Sequence, residues 1–310
     1  MKASRKIEDI EVLRGISVIF VILHHMHGSL IKGTGTWLEG FYRYFDGSVG
    51  VDLFFAISGF VIARSLLPQM IAATSKTQMK NTVLSYWVAR AFRLFPSAWM
   101  WLFLILIFQQ LFNTSGAFGT LQANLEATAW GLANLANIRF AQAFYNFEYG
   151  VSFYYWSLSL EEQFYILLPL VFMIARRWTV LILLALVAYQ IFSVRLIWEM
   201  MFRTDAIALG VLLALADIYK PNFRNYFDIL DRNRIWLLGL VIAMLVTLVT
   251  VTSKQLNITD GPMSVIAVVA ATLVFIASFN RHIISRALLF PKFLLWCGTR
   301  SYAMYLIHVP

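Results

Sequence analysis

Residues 7–28 read IEDIEVLRGISVIFVILHHMHG, and the fold turns on how this stretch is interpreted. Its centre is almost wholly apolar, so the pattern predicts a helix from Ile10 to His27. Arg14 stands near the start, and His24, His25 and His27 stand near the end. Arg14 and His25 are eleven residues apart. At about 100° per residue that is within about 20° of complete turns, so the two share a face, roughly 16 Å apart along the axis. A cation and imidazoles on a helix otherwise suited to lipid are costly there unless they turn towards a protein interior or a wet cavity. The stretch therefore reads as one wall of a polar site that crosses a bilayer.

Working outward, composition supports the same class. Hydrophobic residues make up 60% of the chain and charged residues 13%, against about 25% charged in ordinary soluble domains. The apolar residues fall in runs long enough to span a membrane. The expected fold is all-α, a polytopic transmembrane helix bundle. The net charge of +9 does not imply nucleic acid, because the basic residues sit between the apolar runs, as cytoplasmic loops require. A basic inner surface would attract an anionic cofactor. Cys297 is the only cysteine, which excludes an intramolecular disulfide. The first helix does not read as a signal peptide, since Arg14 interrupts it and no small-x-small cleavage site follows, and it is expected to remain as an uncleaved anchor.

The further apolar segments are Val51 to Leu67, Ser97 to Phe112, Trp156 to Ala175, Trp178 to Ile197, Asp205 to Tyr219, Ile235 to Thr252 and Met263 to Phe279, with a ninth beginning near Phe293. About nine spans are expected, the ninth incomplete. Between them lie a polar loop from Gly28 to Gly50 and a basic stretch from Pro68 to Pro96. Leu121 to Phe140 carries Asn124, Glu126, Asn134, Asn137 and Arg139, which favours a surface or re-entrant helix over a span. Ser159 and Glu162 fit a capping box at the start of the fourth span.

The basic clusters at the N-terminus, Lys76 to Arg93, Arg176-Arg177, Lys220 to Arg234 and Arg281 to Lys292 then share one side, the cytoplasm, with the N-terminus. Arg14, Arg64, Arg90 and Arg93 form an inner group of cations. His25, Asp52, Glu161, Glu162, Arg203, Asp205 and His308 lie towards the outer side. Guanidinium groups match phosphate geometry and suit a phosphate-bearing donor. Imidazole with carboxylate suits general-base chemistry on a hydroxyl.

At these residues the sequence resembles acyltransferase family 3, integral-membrane O-acyltransferases that modify bacterial glycans and other acceptors. The resemblance is carried by Arg14 and His25 with ten residues between them, GSVGVDLFFAISGFVI (47–62), Arg90 and Arg93 before Pro96, YWSLSLEEQFYILLPL (155–170), FRTDAIALG (202–210) and SYAMYLIHVP (301–310). It implies transfer of an acyl group, commonly acetyl, from acyl-coenzyme A to a glycan hydroxyl in the bacterial inner membrane. His25 would be catalytic, as general base or transient acyl carrier, with Glu161, Glu162 and Asp52 in support. Arg14, Arg90, Arg93 and Arg64 would hold acetyl-CoA, and no metal is required. The family has about ten spans and some relatives carry an extracytoplasmic esterase-like domain. A single transmembrane acyltransferase domain over 1–310, truncated at its C-terminus, is the expectation.

Plainer readings stand beside these. His25 can serve as a hydrogen-bonding residue between helices. His24 points about 100° from the His25 face and reads as structural. His24 and His27 share a face, but nothing in the sequence completes a zinc site. Asp52 and Glu162 can act only as helix N-terminal charges, Arg90 and Arg93 as membrane-surface anchors, and Arg203 with Asp205 as a structural ion pair. Ser58-Gly59 reads as close helix packing. Asn113 and Asn257 begin glycosylation sequons. The main alternative function is a transporter of a small anionic or polar solute, since charged membrane helices also line transport paths, although no internal repeat is evident. A scaffold or sensor would need no shared Arg–His face.

Overall fold

The computed structural model of the chain describes residues 6–27, 37–220, 234–253, 262–288 and 290–309. The helices in order are α1 (Glu8–Met26), α2 (Trp37–Tyr44), α3 (Gly50–Ile71), α4 (Lys76–Phe112) and α5 (Leu121–Leu132). Next come α6 (Ala136–Ala143), α7 (Tyr155–Ala175), α8 (Thr179–Phe192), α9 (Ile197–Met201) and α10 (Asp205–Tyr219). The last are α11 (Arg234–Val251), α12 (Pro262–Ser278), α13 (Ile283–Ala287), α14 (Pro291–Thr299) and α15 (Ser301–Ile307). No strand forms among the described residues, so the all-α expectation holds. Segments Gly47–Ile71, Lys76–Ser115 and Tyr155–Ala175 are long and apolar enough to cross a membrane, and three shorter apolar helices cover Thr179–Phe192, Ile235–Val251 and Met263–Ser278.

Several boundaries differ from the sequence reading, each for a physical reason. Pro68 and Pro96 lie inside α3 and α4 and do not end them. Within apolar helices, side-chain hydroxyls and neighbouring groups satisfy the backbone that proline frees. Consequently α4 runs 37 residues, about 55 Å, and much of the basic stretch before Pro96 is helix. Between Leu121 and Phe140 the helix breaks where Asn134 takes a left-handed φ of 57°. Neither piece, of 12 and 8 residues, reaches across about 30 Å of hydrocarbon. The ninth segment is likewise two short helices, α14 and α15, joined at Arg300. The capping-box reading of Ser159 is corrected: α7 starts at Tyr155 without a side-chain cap, and the Ser159 hydroxyl instead accepts the Ala136 N–H at the start of α6, at 3.2 Å. The sequon at Asn257 and the basic residues Arg224 and Arg232 lie outside the described residues.

The chain forms two compact units. One comprises Met1–Ser65, Val180–Phe192 and Asp205–Tyr305; the other comprises Leu66–Thr179, Ser193–Thr204 and Leu306–Pro310. In the first, α1 crosses α14 through paired glycines. A Cβ on Gly15 would strike the Leu294 carbonyl, and one on Gly298 would strike the Glu11 carbonyl. Gly59 of α3 and Gly210 of α10 pair in the same way, against the carbonyls of Ile207 and Ala56. The Ser58-Gly59 step is thus a backbone-to-backbone approach that only small residues allow. In the second unit α4 packs on α5 and α7, and α6 packs on α7 and α9.

Candidate functional site

In the first unit, α1 starts in a dense polar environment. Asp9 is fully buried, and its two carboxylate oxygens accept the N–H groups of Ile283 and Ser285 at 3.0 and 2.9 Å. It thereby satisfies free donors at the start of α13. Glu11 accepts from Arg14 at 2.7 Å, the i,i+3 pairing that a helix surface favours. Arg14 is half-buried, and its charge is offset by a carboxylate of its own helix. The sequence reading did not weigh Glu11, although its spacing from Arg14 was visible.

At the other end of α1 the imidazoles differ in their surroundings. His24 Nδ1 lies 3.1 Å from Asp46 Oδ1. The same carboxylate oxygen accepts the Ser48 N–H at 2.9 Å, and the Asp46 N–H donates to the Val249 carbonyl at 2.8 Å. Burial pushes the Asp46 carboxyl up, but hydrogen bonds from His24 and Ser48 and the charge of His24 outweigh it and hold the group at about 2. The His25 ring meets the His24 ring edge-on, centroids 5.0 Å apart at 82°. His27 packs on Tyr42, whose hydroxyl bonds the Leu23 carbonyl at 3.0 Å. Asp52 is buried in the first turn of α3, and Arg64 is half-buried on the same helix. The sequence reading looked to Asp52, Glu161 and Glu162 for a carboxylate beside an imidazole. It missed Asp46, which is 22 residues from His24 and has no local signal.

The second unit holds Arg90, Arg93, Glu161 and Glu162. The Arg90 guanidinium lies 4.7 Å from the Tyr165 ring centre and 5.8 Å from that of Tyr86, within cation–π range. The Tyr165 hydroxyl donates to Glu161. Three bonds hold α4, α7 and the chain end together here. The Tyr155 hydroxyl donates to the Ala98 carbonyl at 2.8 Å, Trp101 Nε1 to the Tyr154 hydroxyl at 3.0 Å, and Tyr154 to the Leu306 carbonyl at 2.7 Å. His308 packs on the Tyr154 ring. The expected separation of inner arginines from outer carboxylates fails for Arg90 and Glu161. Because α4 continues through Pro96, Arg90 stands in mid-helix rather than in a loop, level with the Glu161–Tyr165 turn. Arg93 is exposed on α4. Glu162 is 8% exposed, and its Oε2 is buried without a hydrogen-bond partner among the described residues, a costly state that calls for a role. Arg203 is buried with its guanidinium 4.7 Å from the Trp156 ring centre. Arg139, also buried, binds Glu126 at 2.8 Å and ties α5 to α6. Among the described residues no three His, Cys, Asp or Glu side chains gather as a metal site would need.

Cations, imidazoles and carboxylates on apolar helices suit a membrane enzyme or a permease. The acyltransferase domain of acyltransferase family 3 matches residues 7–310; the chain belongs to that family. It is 25% identical to the peptidoglycan O-acetyltransferase OatA of Listeria monocytogenes, over 99% of this chain and 50% of that protein. It is 28% identical to the O-acetyltransferase OatA of Staphylococcus aureus, over 100% of this chain and 51% of that protein. The chain thus spans about half the length of these relatives. No solved structure matches.

Proposed function

We propose that the protein is a membrane O-acyltransferase that moves an acetyl group from cytoplasmic acetyl-CoA to a hydroxyl of a cell-envelope glycan. Peptidoglycan, the acceptor named for the Listeria relative, is the first acceptor to test. The observation that carries this reading is the family match, which runs from residue 7 to 310 and takes in every motif with a candidate residue. Because the match runs unbroken through residues of both units, we read 1–310 as one domain. About nine spans, an N-terminus in the cytoplasm and a place in the bacterial inner membrane complete the proposal; the basic clusters between apolar runs support that orientation.

In this mechanism neutral His25 takes the proton of the acceptor hydroxyl as its oxygen attacks the thioester carbonyl, and coenzyme A leaves as the thiolate. General-base help of this kind is worth roughly 10²–10⁴-fold. Arg14, Arg64, Arg90 and Arg93 supply cations for the donor phosphates, since guanidinium groups bind phosphate bidentately. Asp52, Glu161 and Glu162 are the carboxylates available to orient the acceptor or steady the imidazolium.

The test supplies acetyl-coenzyme A and isolated peptidoglycan to the full-length protein in membrane vesicles. Stoichiometric release of free thiol and of base-labile acetate from the glycan is the expected result. Donor left intact under conditions where the protein is folded would remove the proposal. Reporter fusions after Lys80 and Lys220 should read cytoplasmic and one after Asn257 extracytoplasmic; the reverse pattern would invert the site.

A further inference from the structure

A general base works only if its ring is held in line with the proton it removes, and misplacement by about 1 Å can cost about 10²-fold. The immediate neighbour of His25 is built to provide that. We propose that Asp46 and His24 are a positioning pair for His25: Asp46 anchors the His24 imidazole through Nδ1, and the anchored ring fixes the plane of His25. The inference rests on the reading of His25 as the base.

Asp46 has little freedom of its own. Its Oδ1 is held by the Ser48 N–H, and its backbone N–H by the Val249 carbonyl in the last turn of α11. The backbone around it lies directly against α1: a Cβ on Gly47 would strike the Phe20 carbonyl, and one on Gly50 the Ser17 carbonyl. Phe45, just before it, meets Phe20 edge-on at 5.7 Å and stacks on Phe41 at 4.8 Å. A fixed carboxylate 3.1 Å from Nδ1 accepts only, so it places the proton of His24 on Nδ1 and sets the ring's orientation. The His25 ring then meets this fixed ring at 82° with centroids 5.0 Å apart, within the range where aromatic edge-to-face contacts are favourable. A ring so braced gives up rotamers before the reaction begins.

The competing explanation is a tether that only fastens the segment before α3 to α1. The two are separated by His24→Asn, whose amide can still donate to Asp46 but offers no ring to His25. Acetyl transfer from acetyl-coenzyme A to peptidoglycan is measured per folded molecule, in membrane vesicles, with the folded fraction read by gel filtration. His24→Asn and Asp46→Ala should each lower kcat by about 10- to 100-fold, the scale found for partners that orient histidines elsewhere, with both KM values unchanged. The double variant should be no worse than the worse single one, because the pair acts as a unit. Asp46→Asn, which keeps an acceptor oxygen, should recover part of the loss, and His27→Phe should behave as wild type. Wild-type kcat in His24→Asn would reduce the pair to a tether and overturn the proposal, even if Asp46→Ala lowered the folded fraction. Normal turnover in His25→Ala would be a different failure, that of the base assignment, and the positioning role would fall with it.

Discussion

The histidine end of α1 and the cluster of Arg90, Tyr165 and Glu161 both bring a positive or protonatable group near a carboxylate, by opposite means. At the end of α1 the carboxylate comes from a turn 22 residues away, and the imidazole it holds is 39% exposed. In the second unit, Glu161 and Tyr165 are one turn apart on α7, and Arg90 reaches them from the middle of α4. The first depends on a loop staying clamped to a helix end. The second depends on helix periodicity and on contacts between two long helices. Chain ends and turns open at small free-energy cost, whereas packed helix interiors open only with the whole structure. The two regions should therefore fail differently when perturbed.

The largest effect should follow His25→Ala. Transfer should fall by roughly 10²–10⁴-fold while membrane levels stay normal, because a small residue leaves α1 intact; the check is thiol release at matched protein. Near-normal turnover would remove the histidine end from the chemistry. Next comes Arg90→Ala, which should raise the KM for acetyl-coenzyme A by about tenfold or more, the worth of one charge-assisted hydrogen bond. Arg90→Lys should restore only part, since an ammonium lacks the planar fork. Unchanged donor affinity in both would leave Arg90 as a packing residue on Tyr165. A smaller loss, a few-fold to about tenfold, is expected for Tyr165→Phe, which keeps the ring under Arg90 and removes only the bond to Glu161. A steady-state kinetic series on the two variants together would show non-additivity if the cluster acts as a unit.

The smallest effect is on stability and concerns Asp46. Its folded carboxyl is held at about 2 against an ordinary 3.8. A depressed value means that the stabilisation, about 2 kcal/mol, is complete above the ordinary value and is lost as pH falls from about 4 through 2. Thermal unfolding in detergent across that range should fall more steeply for wild type than for Asp46→Asn. Parallel curves would mean that the His24–Asp46 contact contributes nothing in the folded protein, and the contrast between the two regions would lose one side.

How much of this was legible in the sequence varies by residue. The all-helical class and most helix cores followed from long apolar runs, because burying backbone polar groups in lipid leaves a helix as the economical solution for such a run. Pro96 misled, since a proline ends a helix in water more readily than among packed apolar helices, and the error left Arg90 outside a helix that in fact carries it in mid-course. Asn134 was read as a sign against a span, and the helix breaks at the left-handed turn it forms. The small-residue step at Ser58-Gly59 was read correctly as packing, though its partner Gly210 was not foreseen.

The sequence by itself determined that the chain is a bundle of apolar helices carrying a small set of cations, imidazoles and carboxylates, and which motifs hold them. Periodicity and hydropathy are local properties, so these follow from neighbours in the chain. It also contained the Glu11–Arg14 pair, three residues apart on one helix. Only the tertiary structure decided that Asp46 belongs to His24, that Asp9 closes the start of α13 from the far end of the chain, and that Arg90 lies level with Glu161. Each of those is a contact between residues distant in sequence. Such contacts are fixed by helix crossings, set here by paired glycines and a proline that does not break its helix, and no window along the chain records where two helices cross.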